Sequence, residues 1–369
     1  MNRSLFKNIE WKVLFTLIIL LIIGLVALFS ATKNSNYDEF KKQIIWIAIS
    51  IPISYIIITI DYKNIVKFWY VFYLLFIILL VAVLFTKPIN GARSWFKIGS
   101  QLFQPSEFMK IVSIITMAQL ICIIKQRYGN DAINKPLLLL VFLVVSLIPV
   151  ALIILQPDYG TAIGYMLAIV LMLFIAGIKK RYIIAAALIL VISLPLLYIF
   201  VLPSHAKARI NVFLNPELDA KGAGYNAIQS KLAIGSGQIL GQGLFKGNQT
   251  QLGFLYPKTT DFIYPVVCEE MGFIMGATVI LTYVFLITKS VYIAKTARDT
   301  LGSYIAIGIV GILLFHFVEN IGMTIGLLPI TGVPLPFISY GGSSLLTNII
   351  MISLIINISG RRKKVLYME

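Results

Sequence analysis

Ten apolar runs decide what this chain can fold into. They are Val13 to Ala31, Ile44 to Ile60, Phe68 to Phe85, Ser106 to Ile124, Leu137 to Leu155, Thr161 to Ile178, Tyr182 to Leu202, Phe262 to Thr288, Leu301 to Leu327, and Phe337 to Ile358. Each approaches the roughly 20 residues that an α-helix needs to cross a bilayer. Backbone polar groups find no water there, so such runs persist as helices. The pattern predicts an all-α, polytopic membrane protein with ten transmembrane helices, organised as a single membrane domain over residues 1–369. Charged residues make up 12% of the chain, half of the about 25% usual in a soluble domain. The first run follows Arg3, Lys7 and Lys12, as a secretory signal would. It is longer than a signal's apolar region, and Phe29-Ser30-Ala31-Thr32 is a poor cleavage site, so it reads as a retained helix.

Charge sets the orientation. With both termini inside, eighteen of the 31 Lys and Arg fall in tails and inner loops and thirteen in outer segments. Six of those thirteen lie in the loop of about 203–261, which is long enough to count little in the positive-inside rule. Both termini are therefore expected in the cytoplasm, with the long loop between helices 7 and 8 extracytoplasmic. The net charge of +16 is then a membrane topology signal, not a nucleic-acid footprint. Two cysteines, Cys122 and Cys268, and two histidines, His205 and His316, offer no disulfide framework and no metal-ligand spacing.

Four outer segments carry the polar chemistry. In the first, Asn90-Gly91-Ala92-Arg93-Ser94-Trp95-Phe96 precedes Gln104-Pro105-Ser106-Glu107-Phe108-Met109-Lys110. Pro105 and Ser106 mark a helix start, and Glu107 and Lys110 share a face at i, i+3. An interfacial Trp anchor accounts for Trp95; ionisable groups within a span point to function. The pair is expected on a cavity wall or, almost equally, as a structural bridge between helices. The second is Leu155-Gln156-Pro157-Asp158-Tyr159-Gly160-Thr161, a tight turn that either lines a site or simply turns. The third is the long loop, in which the apolar spacing from Tyr225 to Ile239 predicts an amphipathic helix on the membrane surface. It closes on Thr260-Asp261-Phe262, then Glu269-Glu270-Met271-Gly272. The fourth runs from Asn320 to Ser344 and is crowded with Gly and Pro. Non-helical backbone at membrane depth must be enclosed by protein or line a water-filled cavity, so a re-entrant or broken segment is expected. Read alone, it also suits a transporter.

The fourth segment resembles the signature of the SEDS family (shape, elongation, division and sporulation proteins: RodA, FtsW and SpoVE). The matching residues are Asn320, Gly326, Leu327, Pro329, Gly332 and Ser339-Tyr340-Gly341-Gly342-Ser343-Ser344. Three further pieces agree in the same order: Gly91 to Trp95 with Gln104 to Glu107, Leu155 to Thr161, and Thr260 to Ile263 with Glu269 to Gly272. The likeness spans the whole chain. The family often has Pro-Glu before the Thr-Asp pair and a His two residues before the Asp. Here Lys258 follows Pro257, and Thr259 takes the His place, so no role is carried over to those two.

The resemblance implies a peptidoglycan glycosyltransferase of the bacterial cytoplasmic membrane. It would join lipid II units into glycan strands on the outer face, working with a class B penicillin-binding protein and other elongation-complex membrane proteins. The short tails favour an elongation-type member. The family's catalytic Asp matches Asp261. A carboxylate could abstract or orient the proton of the attacking sugar hydroxyl, and partial shielding would raise its usual pKa of about 3.9 toward a better base. The departing pyrophosphate needs cationic stabilisation, for which Arg93, Lys110, Arg209 and Lys231 are candidates. A divalent cation, magnesium or manganese, is the other option, although no carboxylate cluster of ligand spacing stands out. Asp158, Thr260, Ser339 and Ser343 complete the expected site; satisfying broken-helix backbone is an equal alternative role for the Ser hydroxyls. Glu319, inside a span, is expected to be paired or hydrogen-bonded. Two other classes compete: a lipid II flippase, with charged sites near the midplane, and a non-catalytic scaffold.

Overall fold

A computed structural model describes residues 9–89, 91–99, 101–196, 199–200, 207, 211–215 and 223–362. A long helix occupies each of the ten apolar runs. These are α1 (Trp11–Ala31), α2 (Asp38–Thr59), α3 (Trp69–Val83), α4 (Pro105–Tyr128), α5 (Pro136–Ile154), α6 (Tyr159–Ile175) and α7 (Lys180–Leu196), then α9 (Ile263–Lys295), α10 (Thr300–Ile325) and α11 (Gly342–Gly360). Among the described residues, seven of these are long and apolar enough to cross a membrane on length and composition alone; α3 and α6 are apolar but shorter. Between α7 and α9 lies α8 (Ala223–Ser236). A small antiparallel hairpin pairs β1 (Phe96–Ile98) with β2 (Gln101–Phe103), with Phe96 opposite Phe103.

Some boundaries move for local reasons. Helix α2 starts at Asp38, six residues before the apolar run, because Asp38 and Glu39 favour the positive end of a helix. Helix α11 starts at Gly342 and not at Phe337, because residues 337–341 are held as a turn by bonds described below. The expected surface helix is Ala223–Ser236, and it does not lie free. Ala233 is buried, and Ser230 Oγ donates to the Thr324 carbonyl of α10 at 2.7 Å.

The innermost helices are α4, α10 and α11, whose most apolar stretches are 72%, 72% and 83% buried, against 11% for α2. Their ends are capped by sequence. Pro105 opens α4, where its missing N–H costs nothing. Asp299 accepts from the Gly302 N–H at the start of α10. Gly326, left-handed at φ 81°, ends α10 while the Leu327 N–H returns to the Gly322 carbonyl.

All four polar segments gather at one end of the bundle. Ser94 Oγ donates to the Gln156 carbonyl, Gln104 Nε2 to Asp158, and the Gln104 N–H to Ser343 Oγ. At the opposite end Arg362 pairs with Glu10, Arg361 with Asp61 and Lys63 with Asp299.

Helix α9 is broken at Gly272, whose φ of 79° and ψ of 179° no helix contains. The break frees backbone groups, and the end of the long loop satisfies them. Gln242 and Gly243 N–H donate to the Glu269 and Glu270 carbonyls, and Phe273 N–H donates to Gln238. Backbone lies on backbone here: a Cβ at Gly237 would stand 1.9 Å from the Cys268 carbonyl oxygen. Two carboxylates just before the break are engaged by the same loop. Glu269 accepts from Gln249 N–H and from the N–H and hydroxyl of Thr250; Glu270 accepts from Gln251.

Within the core, Lys110 Nζ donates to Glu107 at 2.7 Å and to His316 Nε2 at 3.1 Å, and Thr347 Oγ1 donates to the other Glu107 oxygen. Lys110 is fully buried and Glu107 nearly so. The pair ties α4 to α10 and α11 and does not face open space.

Two outcomes follow from this packing. Gly237→Ala should destabilise the purified protein by about 1–3 kcal/mol through overpacking. Gly235→Ala, two residues away with open space around its Cβ position, should be neutral or stabilise by up to about 1 kcal/mol; melting curves in detergent compare them. Lys110→Met alone strands a buried carboxylate and should cost about 3–5 kcal/mol, whereas the double change with Glu107→Leu should recover most of that. Equal losses in single and double variants would contradict the buried-pair reading.

Candidate active site

The segment from Leu327 to Gly341 cannot be helical: Pro329, Pro334 and Pro336 lack the needed N–H groups, and Gly332 sits at φ 79°. Its backbone is satisfied by side chains from its neighbours. Asn320 Nδ2 donates to the Val333 carbonyl, His316 Nδ1 to Pro334, Tyr283 OH to Pro336 and Gln43 Nε2 to Ser339. Ser339 Oγ accepts from the Leu335 N–H. Because Lys110 donates to His316 Nε2, that nitrogen is the acceptor and Nδ1 carries the proton. The histidine therefore couples the buried ion pair to the broken segment.

The same segment grips the loop that carries Asp261. Three successive carbonyls are taken. Tyr340 N–H donates to Thr259 at 2.8 Å, Ser339 Oγ to Thr260 at 2.7 Å, and Asn320 Nδ2 to Asp261 at 2.9 Å. Phe262 and Ile263 anchor the following residues in the core. The Asp261 side chain is half-buried. Its Oδ2 lies beside Gly332, where a Cβ would come within 3.4 Å. Next to Gly332, Thr331 Oγ1 donates to Glu319 at 2.8 Å, so a second carboxylate, 6% exposed, backs this segment.

Other expected residues are placed as follows. Thr260 is half-buried and Ser339 is buried, its hydroxyl spent on two backbone groups. Lys231, exposed on α8, lays its ammonium against Gly326, where the broken segment begins. Asp158 is half-buried at the start of α6, caps the Thr161 N–H and accepts from Gln104. Burial pushes its carboxyl up, opposed by the Thr161 bonds. The next turn of α6 backs the Asp261 wall: a Cβ at Gly160 would meet Val333 at 2.4 Å. Ser343 accepts from Gln104 N–H and donates to the Leu102 carbonyl. Trp95 is half-buried; Arg93 is exposed and donates to the Leu84 carbonyl. Arg209 lies outside the described residues. Thus Thr260, Asp261 and Ser339 come together, Lys231 lies against Gly326 at the start of the broken segment, and Glu107 and Lys110 sit inward.

Lys258 shows what its position does in this chain. Its Nζ donates to the Thr250 carbonyl, and burial pulls its pKa down against the opposing pull of Glu270, Glu39 and Glu269. Sequence reasoning did not assign His316, Gln43, Gln104 or Asn320 to the site. A signal was present: His316, Glu319 and Asn320 stand at i, i+3 and i+4 in an apolar run, one polar face on one helix. Among the described residues, no three His, Cys, Asp or Glu side chains come together as a cation cage.

Comparison with known proteins agrees with this geometry. A family profile described as "Cell cycle protein" (FtsW, RodA, SpoVE) matches residues 10–364. The peptidoglycan glycosyltransferase MrdB of Escherichia coli K12 is 35% identical over 360 residues, covering 96% of this chain and 95% of MrdB. The peptidoglycan glycosyltransferase RodA of Treponema pallidum is 31% identical, covering 96% of this chain and 98% of that protein. In fold, a chain of a peptidoglycan synthase complex superposes with a TM-score of 0.78 at 24% identity, covering 96% of this chain and 99% of that one. With a profile match over nearly its whole length and relatives above 30% identity, the chain belongs to the FtsW/RodA/SpoVE family.

Proposed function

We propose that this chain is a peptidoglycan glycosyltransferase that polymerises lipid II into glycan strands at the outer face of the bacterial cytoplasmic membrane. Relatives above 30% identity that carry the same activity in their names support it. The observation that carries the site is the grip on the Thr259, Thr260 and Asp261 carbonyls. It holds a half-buried carboxylate at the polar end of the bundle and leaves its side chain walled by a glycine.

In this reading the acceptor sugar hydroxyl attacks the anomeric carbon of the donor. Asp261 takes or orients the hydroxyl proton. The bond from that carbon to the pyrophosphate oxygen breaks, and undecaprenyl pyrophosphate leaves with the electron pair. Lys231 and Arg93 keep exposed side chains that can meet its charge, whereas Lys110 is committed to Glu107 and His316. Magnesium or manganese keeps most of its waters and takes one or two carboxylates beside phosphate oxygens; such an ion would come with the substrate, and no step here depends on it. A class B penicillin-binding protein would crosslink the product, within an assembly of elongation-complex membrane proteins. Both termini lie on the cytoplasmic side, where Arg361, Arg362 and Lys63 gather.

The flippase reading needs mobile charge near the midplane. The buried charges within the spans, Glu107, Lys110 and Glu319, are paired or hydrogen-bonded, which favours the enzyme.

The test is lipid II polymerisation by the purified chain with its penicillin-binding partner. Asp261→Asn should lower the rate by about 100-fold or more, the usual range for a lost general base. Wild-type rates in a folded Asp261→Asn protein would remove Asp261 from the mechanism. Lipid II movement across liposomes without strands would support transport instead.

A further inference from the structure

We propose that Asn320 is the positioning residue for Asp261, an inference that rests on the polymerase reading above. Asn320 is fully buried on α10. Its Nδ2 donates to the Asp261 and Val333 carbonyls, each at 2.9 Å. Two carbonyls on one side fix the amide's orientation, because only the nitrogen can face them. One side chain therefore sets the spacing between the Asp261 carbonyl and the broken segment, in which the residue before Val333, Gly332, walls the Asp261 carboxylate.

The arrangement leaves a cost in place. Among the described residues Asn320 Oδ1 is buried without a hydrogen-bond partner, a state that typically costs about 1–3 kcal/mol. Asn320 is not needed to keep the loop in place. Tyr340 and Ser339 already hold Thr259 and Thr260, and Phe262 is anchored in the core. Removing the amide releases the Asp261 carbonyl from α10, while the neighbouring bonds, among them Phe262 N–H to the Pro257 carbonyl, stay in place. A general base must reach its proton within about 2.6–3.2 Å, and a misplacement of about 1 Å can cost about 100-fold in rate. Substrate binding, spread over other residues, is left intact.

The experiment uses the full chain with its penicillin-binding partner and a lipid II concentration series. Asn320→Ala should lower kcat by about 100-fold while KM stays within about threefold. Asn320→Asp, of the same size but presenting an acceptor to both carbonyls, should do no better. Gly332→Ala, at an exposed position, disturbs the same spacing from the other side and should also lower kcat with little change in KM; it serves where an Asn320 variant fails to fold. A wild-type kcat in folded Asn320→Ala, or in Gly332→Ala, overturns the proposal, as does a loss expressed in KM alone. Asp261→Asn in the same series separates the two levels. If it is inactive while Asn320→Ala and Gly332→Ala keep full kcat, only this inference falls. If it polymerises normally, the assignment of Asp261 falls and this inference with it.

Discussion

Three consecutive carbonyls, those of Thr259, Thr260 and Asp261, are bound by Tyr340, Ser339 and Asn320. The constraint behind this grip is the bilayer itself, where backbone without a helix must be satisfied by protein. Residues 327–341 meet it with Asn320, His316, Tyr283, Gln43 and Ser339. The donors come from α2, α9, α10 and the segment itself. Their positions in turn depend on the inner packing of α4, α10 and α11, where Glu107, Lys110 and Thr347 meet.

Asp261 lies between two repaired breaks. On its C-terminal side α9 is interrupted at Gly272, and residues 238–243 fill the gap backbone to backbone. The broken segment after α10 covers the other side. Both breaks remove regular helix hydrogen bonds and replace them with specific ones. That exchange fixes a carboxylate near the bundle's polar end, where a regular helix would have carried the chain past it. Rigid support of this kind suits a group whose distance to a reacting hydroxyl must be held within fractions of an ångström.

Much of this was legible in the sequence. Among the described residues a helix lies in each of the ten apolar runs, seven of them long and apolar enough to span a membrane, and the four polar segments meet at one end. The i, i+3 spacing of Glu107 and Lys110 correctly implied a pair. What spacing does not contain is which way a buried pair turns: its third member, His316, lies 206 residues away. Hydrophobicity likewise merged Phe337 to Tyr340 with α11, because it counts apolar side chains and is blind to a carbonyl seeking a donor. The Glu269-Glu270 motif was visible, but its partners sit about twenty residues earlier in a loop with no periodicity. The hairpin before α4 is too short to leave an alternating pattern.

The central claim is that the loop carrying Asp261 stands outside the membrane while the termini stand within the cell. Sided labelling tests it most directly. Tyr256 is 73% exposed on this loop, and the two native cysteines are buried, so Tyr256→Cys supplies one reactive thiol. In intact cells a membrane-impermeant maleimide should modify it fully from the outside. Labelling that requires permeabilised cells would place the loop in the cytoplasm and contradict the account.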